Sequence, residues 1–290
     1  MANHNRAINR VFTRKVIADL IECGRNEIFD VVVQLYIDDP ESKTHGQIIS
    51  EIYTHLGREH RNEYYYMNTL LNKLLVGIHS VNTTAALSQV RVGEHIADFV
   101  MINGEFRAYE IKSNLDSFER LYDQISDYFK AFSKVSLLTS RKHEYEKIEE
   151  ILRGLGDFGD AVGIYLLNGK GEYFSKDYRR EPKQYNYCLD HTCIFKLLRK
   201  MEYENVLMNH YKVLPEVAPV FYFQECLTWF KQIPILEAQD LARTELKKRN
   251  KICKTVFDRI QPELKSTMYF AELSSKLPQL EALLQSNYRR

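Results

Sequence analysis

The chain has 290 residues, 44% of them apolar and 27% charged, a composition that excludes a disordered or low-complexity chain and fits one sizeable domain with extensions or two modest ones. Forty Lys and Arg against 39 Asp and Glu leave a net charge of +1, so a positive field for a polyanion has to be local. Five scattered cysteines argue against a disulfide framework, no apolar run reaches membrane-spanning length, and the first residues, MANHNRAINR, lack an apolar signal core; the expectation is a reduced, cytoplasmic protein without a membrane segment.

Residues 1–80 read as helical. Ile8, Val11, Phe12, Val16, Leu20 and Ile21 recur at helical spacing, VVVQLYI at 31–37 is a buried helix or strand, and a break falls at DDPESKTHG. Helices are expected near 47–56 and 61–78, the second with Tyr64, Met67, Leu70, Leu71, Leu74 and Leu75 on one face. The period then changes. AALSQVRV, HIADFVMI and FRAYEIKS predict three strands, split by turns at Gly93-Glu94 and Asn103-Gly104. A helix from about Asp116 to Phe132, a strand at KVSLLTS, an amphipathic helix at KHEYEKIEEILRGL and a buried strand at AVGIYLLN follow, with GKGEYFS returning as a hairpin. Strands linked by helices are expected to run parallel. From 189 onward the chain is helical again, with Asp190 as an N-cap and prolines at the joints.

Two acidic residues stand inside apolar strand runs. Asp98 is the one carboxylate in HIADFVMI, and Glu110 sits in AYEIKS. A buried carboxylate is costly unless it is paired or binds a cation. Glu110 and Lys112 are two apart and share a strand face. Antiparallel pairing around Asn103-Gly104 sets residues summing to 207 or 208 opposite one another, so Asp98 faces Tyr109 or Glu110. Adjacent carboxylates repel unless a divalent cation lies between them, and oxygen-only donors favour Mg²⁺ or Mn²⁺. With an ammonium to orient water, these parts meet the needs of phosphodiester hydrolysis.

Asp98 followed by Glu110-Ile111-Lys112 resembles the D…(D/E)xK signature of the PD-(D/E)XK nuclease superfamily, with Ala97 where that family usually has proline. Gln124 and Tyr128 on the next helix resemble the Q-x-x-x-Y element of its RecB-like branch. The resemblance covers about residues 60–170 and extends, more weakly, to a bacterial family of predicted nucleases with helical tails. It implies an α/β fold with a central mixed sheet flanked by helices, a restriction-endonuclease-like core at 59–185, a helical extension at 1–58 and a helical region at 186–290. It further implies metal ligation by Asp98, Glu110 and the Ile111 carbonyl, water positioning by Lys112, and substrate contacts from Gln124 and Tyr128. Glu63 is the best positional match for the family's upstream acidic residue, with Glu51 and Glu59 as weaker ones. The expected partner is nucleic acid, DNA favoured, with a second copy or another protein against the helical extensions. The competing reading is a non-catalytic nucleic-acid-binding or assembly subunit that kept the fold; a purely structural ion-pair cluster is the bland one.

Other motifs carry less. NGKGE at 168–172 fails the phosphate-loop pattern. Cys188, His191 and Cys193 lack a fourth partner for a structural zinc and read as ordinary thiols and an imidazole. ARTELKKRNKICK at 242–254 gives either a phosphate-tracking face or a solvated basic helix. Tyr64, Tyr65 and Tyr66 could stack on bases, but at helical spacing two of the three face the core.

Overall fold

The computed structural model describes residues 7–59, 61–74, 82–112, 117–167, 174–249 and 252–289. The chain divides into two compact units, one of residues 1–82, 169–173 and 252–290, the other of residues 83–168 and 174–251. The three zones read by pattern thus regroup: the two ends of the chain pack together, and the helices that follow the sheet in sequence pack with the sheet.

The first unit is helical. It contains α1 (Arg14–Cys23), α2 (Glu27–Tyr36), α3 (His45–Glu59) and α4 (Glu63–Asn72). Asn26 and Asn62 cap α2 and α4, the Asn26 side-chain oxygen accepting from the Ile28 and Phe29 N–H groups and that of Asn62 from the Tyr65 N–H. The VVVQLYI run is helical, within α2 apart from Ile37. The expected helix over 61–78 is realised as α4 (residues 75–81 lie outside the described residues). The chain's far end closes on this bundle. Tyr288 donates its N–H to the Lys43 carbonyl and its hydroxyl to Asp30 Oδ1, both at 3.0 Å, and Asn68 Nδ2 donates to the Pro262 carbonyl at 2.9 Å. Tyr65 and Tyr66 are buried and Tyr64 stacks on Phe12, its hydroxyl donating to the Glu263 carbonyl, so the tyrosine run serves packing.

The second unit is built on a six-stranded sheet in chain order: β1 (Ala85–Val92), β2 (His95–Ile102), β3 (Phe106–Ile111), β4 (Lys134–Thr139), β5 (Gly163–Leu167) and β6 (Phe174–Arg180). β1, β2 and β3 form an antiparallel meander, β3, β4 and β5 run parallel, and β6 returns antiparallel to β5. The parallel steps cross over through α5 (Leu121–Phe129) and then α6 (Lys142–Arg153) with α7 (Gly156–Asp160). This is the expected mixed α/β sheet, although α5 starts five residues later than predicted and β6 shares only Phe174 and Ser175 with the expected return GKGEYFS, the rest of which lies outside the described residues. Four helices follow: α8 (His191–Lys196), α9 (Lys200–Tyr211), α10 (Pro219–Phe230) and α11 (Ile235–Lys247).

Alternate residues explain the packing. Phe106 and Ala108 on β3, Val135 and Leu137 on β4, and Ile164 and Leu166 on β5 point into one core with Ile125, Tyr128 and Phe129 of α5 and Phe195, Leu207 and Phe230 of the later helices. Phe129 is fully buried, and its truncation to alanine is expected to cost about 3–5 kcal/mol. Glu110 continues the Phe106–Ala108 row, so an acidic side chain ends an otherwise apolar stripe.

Candidate metal centre

The β2–β3 register pairs Phe99 with Tyr109, and continuing it sets Asp98 opposite Glu110. The ladder stops at that row. Ile111 N–H, which points toward β2, donates instead to Asp98 Oδ2 at 2.8 Å. A strand residue's N–H and C=O point to the same side, so the Ile111 carbonyl faces this gap as well. On the other side of β3 the ladder runs one residue further, with Lys112 N–H donating to the Leu138 carbonyl at 2.8 Å.

Glu110 is 3% exposed and Lys112 5%. Their ion pair is 3.0 Å long. Gln124 bridges both: its Nε2 donates to Glu110 Oε1 at 2.6 Å, and its Oε1 accepts from Lys112 Nζ at 2.7 Å. One turn on, the Tyr128 hydroxyl lies 2.5 Å from Glu110 Oε2 and 2.7 Å from the Ile96 carbonyl, its single proton shared between two acceptors. Burial, then the charge of Glu110 and its hydrogen bond, push the Tyr128 hydroxyl far above the ordinary phenol range, so it stays a donor. The spacing of four residues between Gln124 and Tyr128 is what lets one helix face hold both oxygens of one carboxylate.

Five of the six predicted site residues therefore meet around β2, β3 and α5. The sixth, Glu63, opens α4 in the first unit, exposed at a helix N-terminus where a carboxylate is favourable. Asp98, Glu110 and the Ile111 carbonyl offer oxygen only, a donor set that fits a hard divalent cation. Among the described residues no group of three or more His, Cys, Asp or Glu side chains is placed to hold a metal ion. A cation between two carboxylates would keep several waters, as Mg²⁺ prefers.

Residues 57–281 match the family model described as Bacteriophage P4 protein cII. The chain belongs to that family. The match spans all six strands and the five clustered residues. No curated protein and no solved structure matches the chain.

Some features of the site have no sequence signature. Gln89, opposite Asp98 on β1, has φ +53°, a left-handed conformation that costs a residue with a Cβ about 1–2 kcal/mol. Asp127, between Gln124 and Tyr128, accepts from the Glu94 N–H at 2.9 Å, His95 Nδ1 at 2.7 Å and Lys130 Nζ at 2.6 Å. Burial alone would raise its carboxyl, but the bonds from Lys130, His95 and the Glu94 amide hold it below the usual carboxylate range. Gly93 is required there: its φ is +58°, and a Cβ would meet the Asp127 carboxyl at 2.6 Å. Beside Lys112 in the β3–β4 register, Thr139 donates its hydroxyl to the buried Glu144 at 2.5 Å.

The lesser motifs resolve locally. His191 Nε2 lies 2.7 Å from the Ile233 carbonyl. The Cys193 amide is capped by Asp190, and burial, then the Asp190 hydrogen bond, push the Cys193 thiol up to about 11. In the basic stretch Arg243 pairs with Asp240, Lys248 with Glu245, Arg249 with Glu202 and Lys254 with Asp258. The hairpin turn with Lys170 lies outside the described residues. Among the described residues, no helix is long and apolar enough to cross a membrane.

Proposed function

We propose that the chain is a divalent-cation-dependent nuclease that hydrolyses phosphodiester bonds of nucleic acid, DNA favoured. One observation carries this reading: Asp98, Glu110, Lys112, Gln124 and Tyr128, drawn from two strands and one helix, converge around a buried carboxylate at the open end of the β2–β3 ladder. An incidental surface cluster would not bury an ammonium and a carboxylate to about one-twentieth exposure.

In this reading Asp98 and Glu110 hold Mg²⁺ or Mn²⁺ with the Ile111 carbonyl, and the cation neutralises phosphate charge and makes a water more acidic. The chain's residues do the rest. Gln124 holds Glu110 and Lys112 at fixed separation, which keeps both from wandering in the absence of substrate. Tyr128 fixes the second oxygen of Glu110. Lys112 directs two of its three protons at Gln124 and Glu110, and with no acceptor for the third among the described residues it is the one to orient a water or a phosphate oxygen. Sequence readout is left to other surfaces, because a cation site and an ammonium address phosphate rather than base edges.

The test has two arms. Mn²⁺ or Mg²⁺ should raise the melting temperature of the wild-type chain and leave Asp98→Asn unmoved. Single- and double-stranded DNA and RNA should then be offered with the cation; cleavage that Lys112→Met and Glu110→Gln abolish, while circular dichroism shows the fold retained, supports the proposal. Cation binding with no cleavage of any of these substrates would instead favour the non-catalytic nucleic-acid-binding reading.

A further inference from the structure

We propose that Gln89 is a positioning residue of this site: its left-handed backbone forces the change of face that turns Asp98 toward Glu110. The inference rests on Asp98 being a functional carboxylate, and it starts from the burial pattern of β1 and β2. On β1, Ala85 and Leu87 face the helix-covered core, and then Val90 and Val92 do. On β2, Ala97 faces that core, and then Val100 and Ile102. A regular strand keeps one face at intervals of two. Here both strands take a step of three, from Leu87 to Val90 and from Ala97 to Val100. The register is unbroken across the step, with Ser88 paired to Phe99 and Val90 to Ala97, so Gln89 and Asp98 form the row where both strands change face together.

That row decides where Asp98 points. In phase with Ala97, it would leave the face that carries Glu110. In phase with Val100 and Ile102, it shares that face, and its carboxylate reaches the Ile111 amide. Among the described residues Gln89 is the one non-glycine residue inside a strand with positive φ. Where two strands that stay in register change face together, the row must carry extra local rotation, and the left-handed Gln89 is the backbone irregularity found there. Strained backbone held at the row of a functional side chain is the pattern expected of a positioning device. The pairing also accounts for the loss of the β2–β3 ladder beyond Phe99–Tyr109, because a rotated β2 presents the Asp98 side chain to Ile111 where a backbone carbonyl would otherwise stand.

The test is a series at residue 89 read without metal or substrate. Gln89→Gly relieves the strain and keeps the conformation, Gln89→Ala resists it, and Gln89→Val, β-branched, resists it most. Amide hydrogen exchange gives the protection of Ile111 N–H relative to that of Ala108 N–H on the same strand, which removes any change in global stability. The ratio is expected to hold or rise in Gln89→Gly, to fall in Gln89→Ala, and to fall by about tenfold or more in Gln89→Val, the equilibrium equivalent of forcing a left-handed residue. A ratio that stays flat across the series overturns the proposal, and if Gln89→Val fails to fold, the glycine and alanine variants decide it alone. Asp98→Asn serves as the reference for a weakened acceptor at Ile111. Failure of the nuclease reading looks different: Mg²⁺ would leave the carboxyl carbon resonances of Asp98 and Glu110 unmoved in the wild type while the exchange ratios still follow the series.

Discussion

Helix α5 meets the sheet through two carboxylates, and they are built for different ends. At Asp127 the acid belongs to the helix and its donors are the next turn's Lys130, the Glu94 amide of the β1–β2 turn and His95 at the start of β2. Lys130 and His95 are partly exposed, at 41% and 23%, so water shares the charge. At Glu110 the acid belongs to the sheet, and its donors are long side chains, Tyr128 and Lys112 packed almost dry and Gln124 half-buried. A second acid, Asp98, stands across from it on β2. The Asp127 site is a fastening that ties a helix to a turn. The Glu110 site holds two buried charges where an apolar pair would pack at lower cost, as the proposed cation site would require.

That contrast breaks first at the buried ion pair. Lys112→Met alone leaves Glu110 buried without its cation and should destabilise the fold by about 3–5 kcal/mol, as should Glu110→Gln within the same range. The double variant should recover most of the loss, because two apolar or neutral groups pack where two charges did. Urea unfolding of the four members of the cycle measures the coupling, and additive losses would show that the pair is no pair. Next in size are the bridging groups. Gln124→Met and Tyr128→Phe each strip hydrogen bonds from a buried carboxylate, at about 1–3 kcal/mol. Their effect on cleavage should exceed their effect on stability. Cleavage rates set beside unfolding free energies would expose a merely structural role as equal losses in both.

Much of this contrast was legible in the sequence. Period-two runs and the Asn103-Gly104 turn fixed the meander and its register to within one residue, and register plus parity brought Asp98, Glu110 and Lys112 to one place. Helical spacing did the same for Gln124 and Tyr128. What the residues could not announce was non-local or conformational. Gln89 carries no left-handed preference, so the face change at its row is a property of two strands together. Asp127 reads as one more polar residue until a turn thirty residues upstream folds against it. The regrouping of the chain's two ends into one helical unit likewise depends on contacts such as Asn68 with Pro262, which no periodicity records. The residues from 186 on look like one helical region in the sequence, because proline joints look alike whichever unit a helix joins.

The fastening at Asp127 sharpens the contrast through pH. Its carboxyl titrates below the usual value of about 3.9 in the folded chain, so its contribution is complete above that pH and is lost as pH falls through the lower folded value. Lys130 moves the other way: the hydrogen bond to Asp127 raises it, so its share is complete below about pH 10.4 and is lost as pH rises through the raised value. Asp127→Asn should therefore flatten stability against pH at both ends. Amide exchange at Glu94 should quicken in the same variant, since that N–H loses a charged acceptor. A stability curve that keeps both limbs in Asp127→Asn would assign them elsewhere.

The smallest effect is expected at the basic stretch, and it separates a surface that looks like a nucleic-acid track from one that acts as one. Arg243, Lys248, Arg249 and Lys254 already face acidic partners, so four of the six basic residues there carry their own counter-charge. Arg243 pairs with a largely exposed Asp240 one turn away, an interaction of the kind that contributes less than about 1 kcal/mol. Arg243→Ala should thus shift the unfolding free energy by less than about 0.5 kcal/mol. It should also leave the salt dependence of nucleic-acid binding unchanged, because a charge neutralised within the protein releases few counterions from the phosphate backbone. If Arg243 does contact phosphate, the logarithmic slope of affinity against salt would fall by about one in the variant. The pairing with Asp240 would then be a resting state that substrate displaces, and the basic stretch would join the Glu110 network as a working part.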